Sequence, residues 1–259
     1  SIATTMKSDN KALGTVQDAL GLGASKVDVA YTGMASALDV VDEIKSKLVA
    51  AKEPSADKAK IQSEIGELQN QLTSIAESAS FNGENWLSVD SSAATYSATK
   101  SVVASFSRAS DGTVSVSTID VDITTTELFD ANDQSGILDS TFTTTGGGAV
   151  TVSVSDLDIT AANIDDTDLD EMIAAVDSAF SSMTDAASTL GSSSKRIDMQ
   201  NEFVKNLMDA VDRGVGQLID ANMEEESTRL QALQTQQQLG IQSLSIANSS
   251  AQNMLSLFR

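Results

Sequence analysis

Residues 13–41, LGTVQDALGLGASKVDVAYTGMASALDVV, decide how this chain reads. Apolar or small positions fall at Leu13, Val16, Leu20, Ala24, Val27, Tyr31, Met34, Leu38 and Val41, three and four apart with one extra four at Ala24. Such spacing lays a single stripe along a helix and is the seam of a coiled coil. The stripe continues through Ile44 and Leu48 to Lys52-Glu53-Pro54-Ser55, where proline ends the helix and Ser55 stands ready to cap the next. The helix so predicted spans about 50 residues, roughly 75 Å at 1.5 Å per residue.

Outward from this seam, Ile61, Ile65, Leu68, Leu72 and Ile75 alternate four and three, a second helix that ends near Ser80 before the turn Asn82-Gly83. Beyond Phe81 the period changes to two. Val102, Ala104 and Phe106 alternate, Asp111-Gly112 makes a hairpin turn, and Val114-Ser115-Val116 gives way to Ile119-Asp120-Val121-Asp122-Ile123 in the opposite phase, as across a bulge. Thr151 to Thr160 echoes the second of these strands, and Gly146-Gly147-Gly148 reads as a flexible loop between the two. From Leu169 the heptad returns as Leu169, Ile173, Val176, Phe180, Met183, Ala187 and Leu190, behind a cluster of aspartates that suits a helix N-terminus. It resumes after Gly191 at Ile197, Val204, Leu207, Val211 and Leu218. A last segment carries Leu230, Leu233, Ile241, Leu244, Leu255 and Phe258 among Gln, Ser and Asn, with no charge between Arg229 and Arg259. A helix of that composition needs to be covered by copies or partners. The fold class expected is mainly α with a β-rich insertion: an elongated antiparallel coiled-coil rod, a β-hairpin tip and a C-terminal helix. The segments are 1–80 ascending, 81–165 β-rich, 166–222 descending, and 223–259.

Composition narrows function by exclusion. The 259 residues include 16 Lys and Arg against 37 Asp and Glu, a net charge of −21, which repels nucleic acid and anionic lipid. Residues 81–165 hold Lys100 and Arg108 as their only cations. There is no Cys and no His, so disulfides, thiol nucleophiles, Cys/His zinc sites and imidazole acid–base chemistry are all excluded. No run of residues is apolar enough for a membrane span. The run from Asp165 to Glu171 lacks the glycine and spacing of an EF-hand loop and reads as helix capping. Gly21-Leu22-Gly23 lacks the third glycine of a dinucleotide loop, Glu224-Glu225-Glu226 reads as a solvated face, and Asn248-Ser249-Ser250 as a chance acceptor sequence. No enzyme, cofactor or metal is expected.

Several stretches resemble bacterial flagellin of the α-proteobacterial type. Ser1-Ile2-Ala3-Thr4-Thr5-Met6 is similar to part of the first rod helix, Ile61-Gln62-Ser63-Glu64-Ile65 with Phe81-Asn82-Gly83 to the second and its turn, and Leu190-Gly191 with Lys195-Arg196-Ile197 to the descending helix. The most specific is the tail, Gln236-Gln237-Gln238, Ala247-Asn248 and Gln252-Asn253-Met254-Leu255-Ser256-Leu257-Phe258-Arg259. The resemblance implies an exported structural subunit that polymerises into the extracellular flagellar filament for motility, partnered by copies of itself or other flagellins, a flagellar export chaperone and a cap. It makes 223–259 a filament-core helix lining the inner tube. The family normally carries a further N-terminal helix, so the resemblance implies a chain truncated at that end, and the short middle leaves room for at most one small outer β element. A hook–filament junction protein of the same superfamily is the alternative. Flagellins resembling the enteric type are detected by a Toll-like receptor through an Arg, a Leu and a Glu. Counting back from Phe81-Asn82-Gly83 puts these at Val40, Ile44 and Glu64, and loss of the Arg implies weak recognition.

Overall fold

A computed structural model describes the backbone of residues 2–257 and the side chains of residues 2–250. Among the described residues the elements run α1 (Ile2–Ala51), α2 (Lys58–Ser78), β1 (Ser80–Phe81), β2 (Glu84–Asn85), β3 (Ser88–Val89), β4 (Thr99–Arg108), β5 (Val114–Asp122), β6 (Phe129–Asp130), β7 (Phe142–Thr143), β8 (Thr151–Val152) and α3 (Asp166–Leu257). The chain divides into two compact units, Leu13–Lys205 on the one hand and Ser1–Ala12 with Asn206–Arg259 on the other. The first holds the main core, and the acidic middle segment is part of it.

The buried positions of α1 in this unit are Leu13, Val16, Leu20, Gly23, Val27, Ala30, Met34, Ala37, Val41, Ile44, Leu48 and Ala51, joined on the flank by Val40. This is an unbroken three-four repeat with no extra step. The expected seam members Ala24, Tyr31 and Leu38 lie beside it: Tyr31 is exposed and the other two half-buried. The same one-residue displacement occurs in α3, where Met172, Ala179 and Ala186 are buried and Ile173, Phe180 and Ala187 sit at the rim. The reason is steric. At Gly23, Ala30, Ala37 and Ala179 close approach of backbones demands the smaller residue at the innermost position, and the larger neighbour then covers the edge of the contact; Met172 and Ala186, no smaller than their neighbours, follow in the same register. Gly23 is the extreme case, since a Cβ there would stand 2.3 Å from Cγ1 of Val102 in β4. At Gly33 a Cβ would lie 2.7 Å from Leu87 and 2.8 Å from Ala79.

Helices α1 and α3 run antiparallel within the unit in constant register. Lys52 pairs with Asp170, Lys45 with Asp177 at 2.5 Å, and Ser194 donates to Asp28 at 2.8 Å. Each step along α1 is thus matched by an equal step back along α3. Helix α2 is capped by Asp57, whose carboxylate accepts the Lys60 N–H at 3.1 Å, so Ser55 is not the cap. Its core residues are Ile65, Leu72 and Ala76, and Lys47 ties it to α1 through Glu64 at 2.7 Å.

The turn Asn82-Gly83 joins β1 to β2 with both residues at positive φ, 52° and 77°, as a two-residue hairpin loop requires. Strands β4 and β5 form the expected hairpin, and the bulge falls in β4, between Val103 and Ser105, rather than in β5. Before the bulge Val102, Ile119 and Val121 are buried; beyond it Val114 and Val116 are exposed. Thr151–Thr160 is not a second long strand. Only Thr151–Val152 pairs, with β7, and the rest lies along α2, held by Gln62 and Gln69 through the backbone of Val154, Leu157 and Ile159. The echo between the two stretches is an Asp-Ile-Thr turn: Asp122 accepts Thr124 N–H and Asp158 accepts Thr160 N–H, each with the intervening isoleucine buried. Asp90, Asp111, Asp130, Asp133 and Asp165 make the same turn, so that across all seven the N···O distance is 2.8–3.1 Å. The three glycines 146–148 are no flexible loop. Gly147 and Gly148 donate to the carboxylates of Asp165 and Asp168 at 2.8 Å, and any Cβ on Gly146 would collide with these side chains. Asp165 and Asp168 in turn cap α3 reciprocally.

Two outcomes are expected. Gly23→Ala lowers unfolding stability by about 1–3 kcal/mol through overpacking against Val102, whereas Gly21→Ala, with nothing within 4 Å, raises it by up to about 1 kcal/mol. Urea unfolding midpoints of the two variants move in opposite directions. Acid acts through the carboxylates. Burial raises Glu84, but hydrogen bonds from Lys26 and Lys100 outweigh it and hold the group at about 2. Burial likewise raises Asp130, and the Ser91 hydroxyl with the N–H groups of Ser91 and Asn132 brings it to about 2, while the Thr144 hydroxyl leads in holding Asp168 at about 2. Folded-state values below the unfolded ones mean stability present above about pH 4 and lost as pH falls towards 2. Glu127 and Asp139 are pushed up by burial and oppose this, taking up protons first in the folded state. Thermal unfolding followed against pH therefore shows Tm held or slightly raised on mild acidification, then a steep fall below about pH 4.

Candidate functional site

The second compact unit carries the broadest apolar surface. Around residues 206–215, α3 still meets the start of α1: Asn10 donates to Asp212 at 2.5 Å, Val215 is buried, and a Cβ on Gly214 would lie 3.3 Å from the Met6 thioether methyl. From Asp220 to Ser250 every residue is exposed. Leu230, Leu233, Ile241 and Leu244 are all more than half exposed, Leu244 reaching 72%. At 100° per residue these four share one sector of roughly 80°, with Met223 at its edge.

Two further residues extend the apolar surface. Leu239 and Ile246, 58% and 66% exposed, project from the other side of the helix, about 140–160° away from Ile241. They fall outside the three-four repeat, so heptad reading passes over them; their signal is size and apolarity in a segment with no charge. Polar residues on the helix are partly self-satisfied. The hydroxyls of Thr228, Thr235 and Ser249 donate back to the carbonyls of Glu224, Gln231 and Ser245 at 2.9 Å. Those donors are withdrawn from solvent and from any partner. Leu255 and Phe258, expected on the same surface, lie outside the described side chains.

The remaining expected positions are not together on a surface. Val40 and Ile44 are 7% and 0% exposed, within the core of the first unit, whereas Glu64 is half-buried on α2 and paired with Lys47. Ile44 is a seam residue and Val40 its flank, so neither offers a side chain to an approaching partner.

Concave sites do not assemble catalytic groups. A groove of about 390 Å³ between α1 and α2 is lined mainly by Val29, Thr32, Gly33, Ile75 and Ala79. A cleft of about 320 Å³ holds Glu84, but its carboxylate is already shared between Lys26, Lys100 at 3.0 Å and the Trp86 indole N–H at 3.2 Å. In the groove the Asp28 carboxylate is likewise engaged, by the Ser194 hydroxyl at 2.8 Å. Among the described residues no helix is long and apolar enough to cross a membrane. The chemistry on offer is therefore burial of apolar surface: a long uncharged helix with two apolar sides.

Residues 1–92 match the family model described as the bacterial flagellin N-terminal helical region, and residues 173–258 the bacterial flagellin C-terminal helical region. The chain is 52% identical to Flagellin C of Rhizobium meliloti, the alignment covering all of this chain and 85% of that protein. It is 45% identical to Flagellin A of the same organism and 43% to a flagellin of Brucella melitensis, covering all of this chain and 88% and 83% of theirs. Among solved structures, a flagellin from Bacillus cereus aligns with a TM-score of 0.46 at 16% identity, covering 73% of this chain and 88% of that one.

Proposed function

This chain belongs to the bacterial flagellin family, and we propose that its uncharged C-terminal helix is the surface through which copies pack into the filament. The protein is a structural subunit of the flagellar filament and not an enzyme. The observation that carries the proposal is the row Leu230, Leu233, Ile241 and Leu244, exposed on a helix with no charge between Arg229 and Arg259. Each buried leucine or isoleucine is worth about 1.5–3 kcal/mol, and a row of four is a sufficient drive for association. Leu239 and Ile246 on the other side mean that the helix is covered by more than one neighbour, as in a closed tube of helices. Segment 223–259 then lines the inner tube, with Leu255 and Phe258 continuing the row, while 1–80 and 166–222 form the rod around it. The acidic 81–165 segment faces outward, where like charge keeps filaments apart.

Export through the flagellar apparatus follows from the same reading. A helix this sticky needs a chaperone over 223–259 before secretion and a cap at the growing end to guide its insertion. The buried placement of Val40 and Ile44 supports weak Toll-like receptor recognition: of the three positions, Glu64 alone reaches solvent, half-buried, and Lys47 occupies it. A receptor-reporter assay with soluble protein should show little signal, and signalling at the concentrations effective for enteric flagellins would overturn this.

Leu244→Asp places an unpaired charge in the packed row, a cost of several kcal/mol that raises the concentration needed for assembly by about a hundredfold or more. Sedimentation and electron microscopy of the full protein measure this, with far-UV circular dichroism as the control for folding. Filaments at the wild-type concentration would refute the proposed surface. Glu225→Gln, on the solvated side, leaves assembly unchanged.

A further inference from the structure

The turn Asn82-Gly83 has a chemical property that its structural role does not require. We infer that Asn82 is the principal site of spontaneous deamidation in the folded protein. The Gly83 backbone nitrogen attacks Cγ of the Asn82 side-chain amide. A new N–Cγ bond forms, the Cγ–Nδ2 bond breaks and ammonia leaves, giving a five-membered succinimide. Water then opens the ring at either carbonyl to give aspartate or isoaspartate. The net change is amide plus water to carboxylic acid plus ammonia, with no oxidant or catalyst.

Three conditions govern that attack: an amide side chain free to rotate, an unobstructed nitrogen in the next residue, and a backbone that opens locally. Asn82 and Gly83 are both exposed, and a Cβ placed on Gly83 would meet nothing within 4 Å. No hydrogen bond holds the Asn82 side chain among the described residues. The ribbon it closes has two rungs, Ser80 with Asn85 and Phe81 with Glu84, so local opening is easy.

The other candidates each fail one condition. Asn85 donates to the carbonyls of Ala76 and Glu77 and accepts from the N–H groups of Leu87 and Ser88. Asn132 donates to the Ser91 hydroxyl at 3.0 Å, and Asn163 precedes the β-branched Ile164. Asparagines inside the helices are followed by residues whose N–H is engaged in the helix ladder. Asp111-Gly112 has the glycine, and its acid could form the same ring. There the carboxylate accepts from Thr113 N at 2.9 Å and Oγ1 at 2.6 Å, bonds that keep it ionised, and an ionised carboxylate is a poor electrophile.

The product changes what the turn supports. Isoaspartate adds a methylene to the backbone of a two-residue loop, and either product puts a new negative charge two residues from Glu84. Glu84 and Asn85 are the residues by which β2 holds Lys26 of α1, Lys100 of β4 and the end of α2. Ageing at this one position therefore loosens a junction of three elements.

The test is a warm incubation of the full protein at neutral to mildly alkaline pH, followed by peptide mapping with mass spectrometry and isoaspartate labelling by methyltransferase. The peptide containing Asn82-Gly83 should gain label first, at a rate roughly tenfold or more above any other asparagine and above Asp111-Gly112. In urea the other sites should gain on it, because their protecting hydrogen bonds are gone. Asn82→Gln should remove most of the early label, with circular dichroism confirming the fold, and Asn82→Ser serves if that variant is unstable. Label appearing first at another residue, an unmodified Asn82 when other sites have reacted, or the same order of sites with unchanged rate ratios in urea would overturn the inference.

Discussion

Close approach of backbones at small seam residues is the constraint on which the first unit depends. Gly23, Ala30, Ala37 and Ala51 occupy alternate seam positions of α1, with Val16 and Ile44 in the same set, and Leu, Val or Met fill the others. The small positions let other segments come to the helix surface, as Val102 does at Gly23, and beside the seam Gly33 admits Leu87 in the same way. The large positions supply the buried area. Packing of this kind tolerates little change in volume, because interiors at crystalline density have no slack to absorb an added methyl group.

The middle segment meets a different problem. It has one extended hairpin and three ladders of two residue pairs, so most of its backbone donors find no strand partner. Aspartates answer that need. Seven of them accept the N–H two residues ahead, Asp130 among these also accepts from Ser91, and Asp165 and Asp168 accept from the glycine triplet. Much of the negative charge that reads as surface polarity in the sequence is thus internal scaffolding of the loops. At the part-buried bonds of Asp130 and Asp168, removal of the carboxylate leaves an amide unpaired, which costs more than loss of a surface charge, whereas water replaces the lost acceptor in the exposed turns.

The C-terminal part of α3 shows the opposite economy. It has neither a packed seam nor carboxylate-held turns, and its side chains are left for contacts outside the chain. In the filament packing proposed above, copies would supply the missing faces, and leucine, isoleucine, glutamine and serine suit such a contact because they pack and hydrogen-bond without bringing charge into it.

The sequence by itself determined the long helices, the Asn82-Gly83 turn, the β4–β5 hairpin, the acidic cap of α3 and the row from Leu230 to Leu244, because each is a local pattern: a period, a turn pair, a capping run. It also determined the absence of His and Cys chemistry, which is a matter of count. Tertiary structure alone decided which of two adjacent residues is innermost, Gly23 or Ala24, Ala30 or Tyr31, Ala179 or Phe180, since hydrophobicity favours the larger and close approach favours the smaller. It decided that Val40 and Ile44 are covered, that 146–148 is a clamp instead of a loop, and that 153–160 lies along α2. In each case a partner far away in the chain supplies the deciding contact: Asp168 for the glycines, Gln62 and Gln69 for the extended stretch, Val102 for Gly23. Periodicity records how a segment faces its neighbours, and only the neighbours themselves fix how near they come.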